Sequence, residues 1–190
     1  MKKIGVFDIQ GSVEEHISAL KKAGALPVSV KKISDLKKIC GLIIPGGEST
    51  TVGKLLRKFK LRDEIIKRAK NGMPIYGTCA GAILLAKEIT GREKADGLKL
   101  MDIVIERNAY GRQMDSFETK INFDFGKIKK KIPAIFIRAP KIKKIGKNVK
   151  ILAKYKNEIV AVRENNFLVT MFHPELLDDL NVHRYFLRMC

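Results

Sequence analysis

Long apolar runs are missing from this sequence. No stretch approaches the length of a membrane span, so a membrane-embedded class is set aside. Lys2-Lys3 followed by Ile4 to Phe7 imitates the start of a secretory signal. Asp8 and Gln10 cut that run short and no small-residue cleavage site follows, so it is not read as one. Cysteine is scarce: Cys40, Cys79 and Cys190 are few and widely spaced, which suggests neither a disulfide framework nor a zinc site. A reducing, cytoplasmic setting is expected, with no metal and no cofactor. Linkers, repeats and low-complexity segments are also lacking, so the 190 residues are expected to form a single domain, 1–190.

Acidic residues are in short supply, 20 against 38 Lys and Arg, which leaves a net charge of +18. A charge of that size raises nucleic-acid binding. The lysine clusters at Lys31-Lys32, Lys37-Lys38, Lys127 to Lys131 and Lys141 to Lys147 have no aromatic residues interleaved as a stacking platform, so no nucleic-acid partner is expected. An acidic partner, a phosphorylated substrate and a plain solvated surface all stay open as readings of the charge.

What is present is an alternation of strands and helices. Lys3 to Ile9 reads as a buried strand. Ser12 and Glu15 have the spacing of a capping box, and Val13, Ile17, Leu20 and Ala23 keep helical spacing up to Gly24. His16, among acidic neighbours on that helix, is expected at the surface. Strands at Leu26 to Val30 and Cys40 to Pro45 follow, then helices through Leu55-Leu56 and over Leu61 to Ala69. Pro74 to Tyr76 leads into Gly77-Thr78-Cys79-Ala80-Gly81, and Ala82 to Glu88 leads out as a helix. Four strand–helix alternations in ninety residues predict a doubly wound α/β sheet.

Beyond Gly91 the pattern changes to strands at Leu100 to Glu106, Phe117 to Phe123 (an exposed edge) and Ala134 to Arg138. Ile151 to Ala153, Ile159 to Val162 and Phe167 to Phe172 read as consecutive antiparallel strands, turned by Asn157 and Asn165-Asn166. Asn181 to Met189 reads as a closing helix with Val182, Tyr185, Phe186 and Met189 on one side.

Two stretches carry chemistry. Gly-x-Cys-x-Gly between a strand and a helix is the cysteine form of a nucleophile elbow, whose glycines relieve crowding around a cramped turn. A helix N-terminus behind the sulfur favours thiolate. The competing reading is a small buried cysteine in an ordinary β–α turn. His173-Pro174-Glu175 ends the last strand. Residues two apart in extended chain share a face, which would let Glu175 orient the His173 imidazole for Cys79. Gly46-Gly47 ends the preceding strand. In a parallel sheet, ligands gather beyond the carboxyl ends of the strands, so the two glycine turns are expected side by side.

These residues resemble class I glutamine amidotransferases. Ile9-Gln10-Gly11, Gly46-Gly47-Glu48-Ser49-Thr50-Thr51, Gly77 to Gly81, Glu106 to Gln113, Phe136 to Pro140 and Phe172 to Leu176 are similar to the glutaminase subunits of pyridoxal 5′-phosphate synthases. Asp8 departs from the usual small or apolar residue. The resemblance implies a three-layer flavodoxin-like α/β fold, a mixed sheet with helices on both faces. It implies hydrolysis of L-glutamine to glutamate and ammonia by Cys79, His173 and Glu175, with an oxyanion hole at Gly47 and Ala80. Gly47, Glu48, Ser49, Arg107, Ile137 and Arg138 would line the glutamine site, and Tyr110, Arg112 and Gln113 its rim or a docking face. The implied partner is a (β/α)₈-barrel synthase subunit in a large hetero-oligomer. The rival readings are a glutaminase serving another synthase and a non-glutaminase cysteine-elbow hydrolase of the same fold.

Overall fold

Parallel strands wound outward from the centre build one half of the main sheet. In this computed structural model, which describes residues 1–91, 96–107 and 116–190, five strands lie side by side in the order Leu26–Val30, Lys3–Phe7, Gly41–Ile44, Ile75–Thr78 and Phe167–Thr170. They are β1 (Lys3–Phe7), β2 (Leu26–Val30), β3 (Gly41–Ile44), β4 (Ile75–Thr78) and β12 (Phe167–Thr170), all mutually parallel. β3, β4 and β12 are buried at every residue, as expected of strands covered on both faces. The other half continues antiparallel through β11 (Glu158–Glu164), β10 (Lys150–Tyr155), β7 (Phe117–Asp124) and β8 (Lys129–Phe136). The sheet is therefore mixed, as the sequence implies.

Successive residues of β4 point to opposite layers. Tyr76 meets α1 (Val13–Lys22) and α6 (Asn181–Met189), with ring centroids 6.2 Å from His16 and 5.6 Å from Phe186. Gly77 meets α5 (Ala80–Leu85), against which α3 (Ser49–Lys58) packs, followed by α4 (Leu61–Lys70). The short α2 (Ile33–Leu36), not expected from the sequence, joins β2 to β3.

Several expectations are corrected. The helical run from Ala82 stops at Leu85. Ala86 is extended (φ −62°, ψ 142°) and opens β5 (Ala86–Thr90), which pairs with β6 (Met101–Glu106) and, through it, with β9 (Lys141–Ile145) as a second, three-stranded sheet. Burial of Ala86, Met101, Ile103 and Ile105 outweighs the helix propensity of Ala-Lys-Glu. β7 is not an edge. It is paired on both sides, and its alternation reports one wet face: Glu118, Lys120 and Asn122 are exposed while Ile121 and Phe123 are buried. The edges are β2 and β8 in the larger sheet and β5 and β9 in the smaller, and β8 and β9 carry lysine clusters, Lys129 to Lys131 and Lys143-Lys144.

Ser12 precedes α1 but its hydroxyl does not cap it, so the capping box is absent. His16 is fully buried rather than at the surface. Asp8, the departure from the family pattern, ends β1 and is satisfied by the Ser29 hydroxyl and by Lys31 Nζ at 3.2 Å.

Candidate active site

Cys79 sits on a backbone that few residues adopt, φ 47° and ψ −100°, between the end of β4 and the start of α5. The flanking glycines make that turn feasible. A Cβ on Gly77 would lie 2.5 Å from the Gly81 carbonyl carbon, and one on Gly81 would collide with the Ile44 carbonyl. The elbow is thus packed directly on β3, and any side chain at either glycine would push the helix off the sheet. Ala80, the first residue of α5, presents an N–H with no intrahelical acceptor.

β12 lies beside β4 in parallel, with Thr170 in register with Thr78, so the chain leaving β12 emerges next to the elbow. It does not stay extended there. Pro174 starts a 3-10 turn, Pro174–Leu176, and the turn rather than strand alternation brings Glu175 Oε1 to 2.7 Å from His173 Nδ1. The His173 N–H donates to the Ile135 carbonyl at 2.8 Å, which pins the turn to β8. The imidazole lies beside Cys79. A Cβ on Gly46 would touch both His173 and Cys79, so the glycine turn after β3 is the third wall of the same point. The two glycine turns are side by side, as the parallel order requires.

Electrostatics favour a charged pair. Burial disfavours an imidazolium, yet hydrogen bonds to Cys79 and Glu175 and their negative charge outweigh it and lift His173 to about 10. Burial pushes the Glu175 carboxyl up, but the adjacent His16 and the hydrogen bond and charge of His173 bring it down to about 2. A protonated imidazole held between a carboxylate and a cysteine sulfur is placed to assist the sulfur as a nucleophile and to give a proton to a leaving group.

The sulfur opens into a cavity of about 460 Å³. Gly47, Glu48, Ser49, Arg107, Ile137 and Arg138 all line it, together with Cys79 and His173. Ala80 and Glu175 lie behind that lining. Glu48 is already engaged. Its carboxylate accepts from the Thr50 and Thr51 N–H groups (2.8 and 2.6 Å), capping α3, and from Arg107 Nη2 at 3.2 Å. Burial alone would raise this carboxyl; hydrogen bonds from the Thr51 hydroxyl and from the Thr50 and Thr51 N–H groups hold it down at about 2. Arg107 also donates to Thr50 Oγ1 at 2.9 Å. Arg138 is exposed at the rim with φ 43°, a second left-handed non-glycine residue at the pocket. Strain of this kind concentrates at functional sites. Tyr110, Arg112 and Gln113 lie outside the described residues. A larger cavity, about 870 Å³, lies at the other end of β12, near Asn165, Arg163 and Tyr185, and its lining holds no cysteine, histidine or carboxylate.

Sequence reasoning missed the groups behind the triad. Ser12 Oγ donates to Glu175 Oε1 at 2.8 Å, and His16 and His183 are buried next to it. A signal for His16 existed: it falls on the stripe of Val13 and Leu20, spaced i, i+3, i+7, which is the face α1 buries. Gln10, read only as part of a motif, accepts the Glu48 N–H at 3.1 Å and so ties the β1–α1 turn to the pocket wall.

Comparison with known proteins gives the family and the fold. The description of the SNO glutamine amidotransferase family matches residues 6–190. The chain is 51% identical to the pyridoxal 5′-phosphate synthase subunit PdxT of Pseudothermotoga lettingae over 98% of this chain and 94% of the relative. It is 49% identical to PdxT of Desulforamulus reducens, with 98% of each chain covered. A solved glutamine amidotransferase superposes with a TM-score of 0.92 at 43% identity, covering 98% of this chain and 97% of the other. A PurLQS structure from Thermotoga maritima, at 17% identity and TM-score 0.72, shares the fold. With the family description spanning all but the first five residues, the chain belongs to the SNO glutamine amidotransferases.

Proposed function

We propose that this chain hydrolyses the side-chain amide of L-glutamine and delivers the ammonia to a separate synthase subunit that makes pyridoxal 5′-phosphate. The observation that carries the reading is the meeting of Cys79 and His173, with Glu175 behind the imidazole, in the wall of a pocket lined by Gly46-Gly47 and by Arg107 and Arg138.

The Cys79 thiolate attacks the amide carbon. Charge moves onto the amide oxygen, which the N–H groups of Gly47 and Ala80 receive. One such donor is worth about 3 kcal/mol in the transition state. His173 gives its proton to the departing nitrogen, and ammonia leaves a γ-glutamyl thioester on Cys79. The now neutral imidazole takes a proton from water as the oxygen attacks the thioester. Collapse releases glutamate and restores the thiolate–imidazolium pair. Glu175 holds the ring and its charge through both halves.

The substrate's other end is recognised by charge. Arg138 and Arg107 suit the α-carboxylate, with Ser49 and Ile137 shaping the wall. Glu48 keeps its hydrogen bonds to α3 and Arg107, so it acts on the α-ammonium as a nearby negative charge. The partner is a (β/α)₈-barrel subunit, assembled with this chain in a large cytoplasmic hetero-oligomer, and the glutaminase is switched on by docking.

The test follows the nitrogen. With [amide-¹⁵N]glutamine, the synthase partner and its sugar-phosphate substrates, ¹⁵N is expected in the pyridine ring of pyridoxal 5′-phosphate. Unlabelled ring nitrogen with labelled free ammonia would leave a glutaminase serving a different synthase. No labelled ammonia at all rejects the reaction.

A further inference from the structure

Behind the triad lies a second pair of histidines that amide hydrolysis does not use. His16 on α1 and His183 on α6 are fully buried. His16 Nδ1 is 3.1 Å from His183 Nε2, and His16 Nε2 is 3.1 Å from Thr78 Oγ1 and 3.6 Å from Glu175 Oε1. Thr78 is the residue before the nucleophile. One imidazole therefore touches both the strand that ends in Cys79 and the carboxylate that orients the base.

The partners fix the hydrogens. A carboxylate only accepts, so the ring nitrogen beside Glu175 carries a proton and directs it at Thr78 Oγ1. His16 Nδ1 is then a lone pair, and His183 Nε2–H donates to it. His183 Nδ1, buried with no hydrogen-bond partner, remains a bare lone pair. An unpaired acceptor is tolerated better than an unpaired N–H. The groups that face His16 are Glu15 on its own helix, Glu175 and His173 from the turn after β12, His183 on α6 and the Tyr76 ring on β4. Burial dominates among their effects and lowers His16, and burial followed by His16 lowers His183 to about 3. Both rings are neutral at pH 7.

We propose that His16, held by His183, is a positioning residue of this active site: it fixes the Glu175 carboxylate against the Thr78–Cys79 turn and so sets the registry between His173 and the nucleophile. The inference rests on the glutaminase reading above. Its physical basis is that the two halves of the triad come from different elements. Cys79 follows β4 and His173 follows β12; the ladder between those strands pairs Thr78 with Thr170 and ends in one more bond, from the Cys79 N–H to the Thr170 carbonyl at 2.9 Å. Beyond that bond, α1 and the residue before it supply the side-chain connection: His16 bridges the halves, and Ser12, four residues earlier and just ahead of the helix, gives Glu175 Oε1 another donor at 2.8 Å. Displacing a reacting group by an ångström costs about a hundredfold, so a bridge at this point is worth a comparable factor.

The chain has three histidines, so ¹⁵N ring spectra resolve each one. At pH 7 the wild-type spectrum is expected to show one imidazolium, His173, and two neutral Nε2–H rings. With the synthase partner present, His16→Leu is expected to lower kcat by about 10- to 100-fold with KM within about twofold, and to move the His173 titration to lower pH. His16→Gln keeps a donor at the Nε2 position and is expected to return kcat to within about threefold of wild type. A charged His16 at pH 7, or His16→Leu with wild-type kcat and an unmoved His173 titration, overturns the proposal. If circular dichroism finds His16→Leu unfolded, His183→Phe carries the test. It keeps a ring against Tyr76 but withdraws the N–H, and is expected to lose about threefold in kcat with the same direction of His173 shift. Wild-type values of both reject the role. A wild-type chain that releases no ammonia refutes the glutaminase reading instead, and the His173 titration in the variants still decides the role of His16.

Discussion

His173 and Glu175 sustain each other's charge, and each charge has a pH range in which it stabilises the fold. The Glu175 carboxyl is lowered to about 2, so its stabilisation is complete above the ordinary carboxylate range and is lost as pH falls from about 4.5 towards 2. His173 is raised to about 10, so its contribution is complete below about 6.5 and is lost as pH rises towards 10. His183 has the opposite sign. Lowered to about 3, it stays neutral in the fold while the unfolded chain takes up a proton, so stability falls as pH drops from about 6.5 towards 3. Denaturant unfolding from pH 4 to 10 is expected to give a maximum near neutrality. His183→Phe is expected to flatten the acid limb between pH 6 and 4; an unaltered acid limb would contradict the assignment. The triad was legible because its signals are local: glycines spaced around a cysteine, and a histidine and glutamate separated by one proline. His16 was misread because Glu14 and Glu15 beside it suggested a wet face, while its helical phase with Val13 and Leu20 pointed inward.

Elements meet the site through close approaches that leave no room for a side chain. Gly81 lies on the Ile44 carbonyl, which is what lets α5 start directly over β3. Gly81→Ala is expected to destabilise the protein by about 2–4 kcal/mol, measured by chemical denaturation, because the obstructing atoms are backbone. A cost under about 0.5 kcal/mol would mean that the elbow has slack. A second joint is Asn166, whose amide donates to the Ala69 and Met73 carbonyls at 3.1 and 2.9 Å and ties the β11–β12 turn to the end of α4. Asn166→Ala leaves the Met73 carbonyl without that donor and is expected to cost about 1–2 kcal/mol, with glutaminase activity unaffected at temperatures where the variant is folded. Element boundaries were the less legible part. The end of α5 at Leu85 is set by pairing between β5 and β6, fifteen residues apart at Ala86 and Met101, and nothing in Ala-Lys-Glu announces it. β9 was hidden for a related reason. Its lysines read as a charge cluster, yet Ile142 is buried and Ile145 partly so, and an irregularity in the pairing with β6 lies between them, so no simple alternation shows in the sequence.

The whole molecule carries a net charge of +18, and the lysine clusters of β8 and β9 occupy one edge of each sheet. Charged edges discourage pairing with a strand of another chain, which gives those clusters a structural purpose. The same charge repels itself in the compact state. Raising NaCl from about 10 to 200 mM, which shortens the Debye length from about 30 to under 10 Å, is expected to raise Tm by a few degrees. A fall in Tm would show that attractive ion pairs such as Lys150–Asp124 outweigh the repulsion. At this scale the doubly wound half was legible from its alternation of apolar strands and helices. The division into two sheets was not, because it depends on pairings between segments far apart in the chain.

All of these scales converge on one sulfur. The most direct measurement is mass spectrometry of the chain quenched in acid during turnover with glutamine and the synthase partner. The account predicts a γ-glutamyl thioester confined to the peptide bearing Cys79, and no ammonia release by Cys79→Ala. Ammonia released at the wild-type rate by Cys79→Ala, or an acyl group found on Cys40 or Cys190 instead, would contradict it.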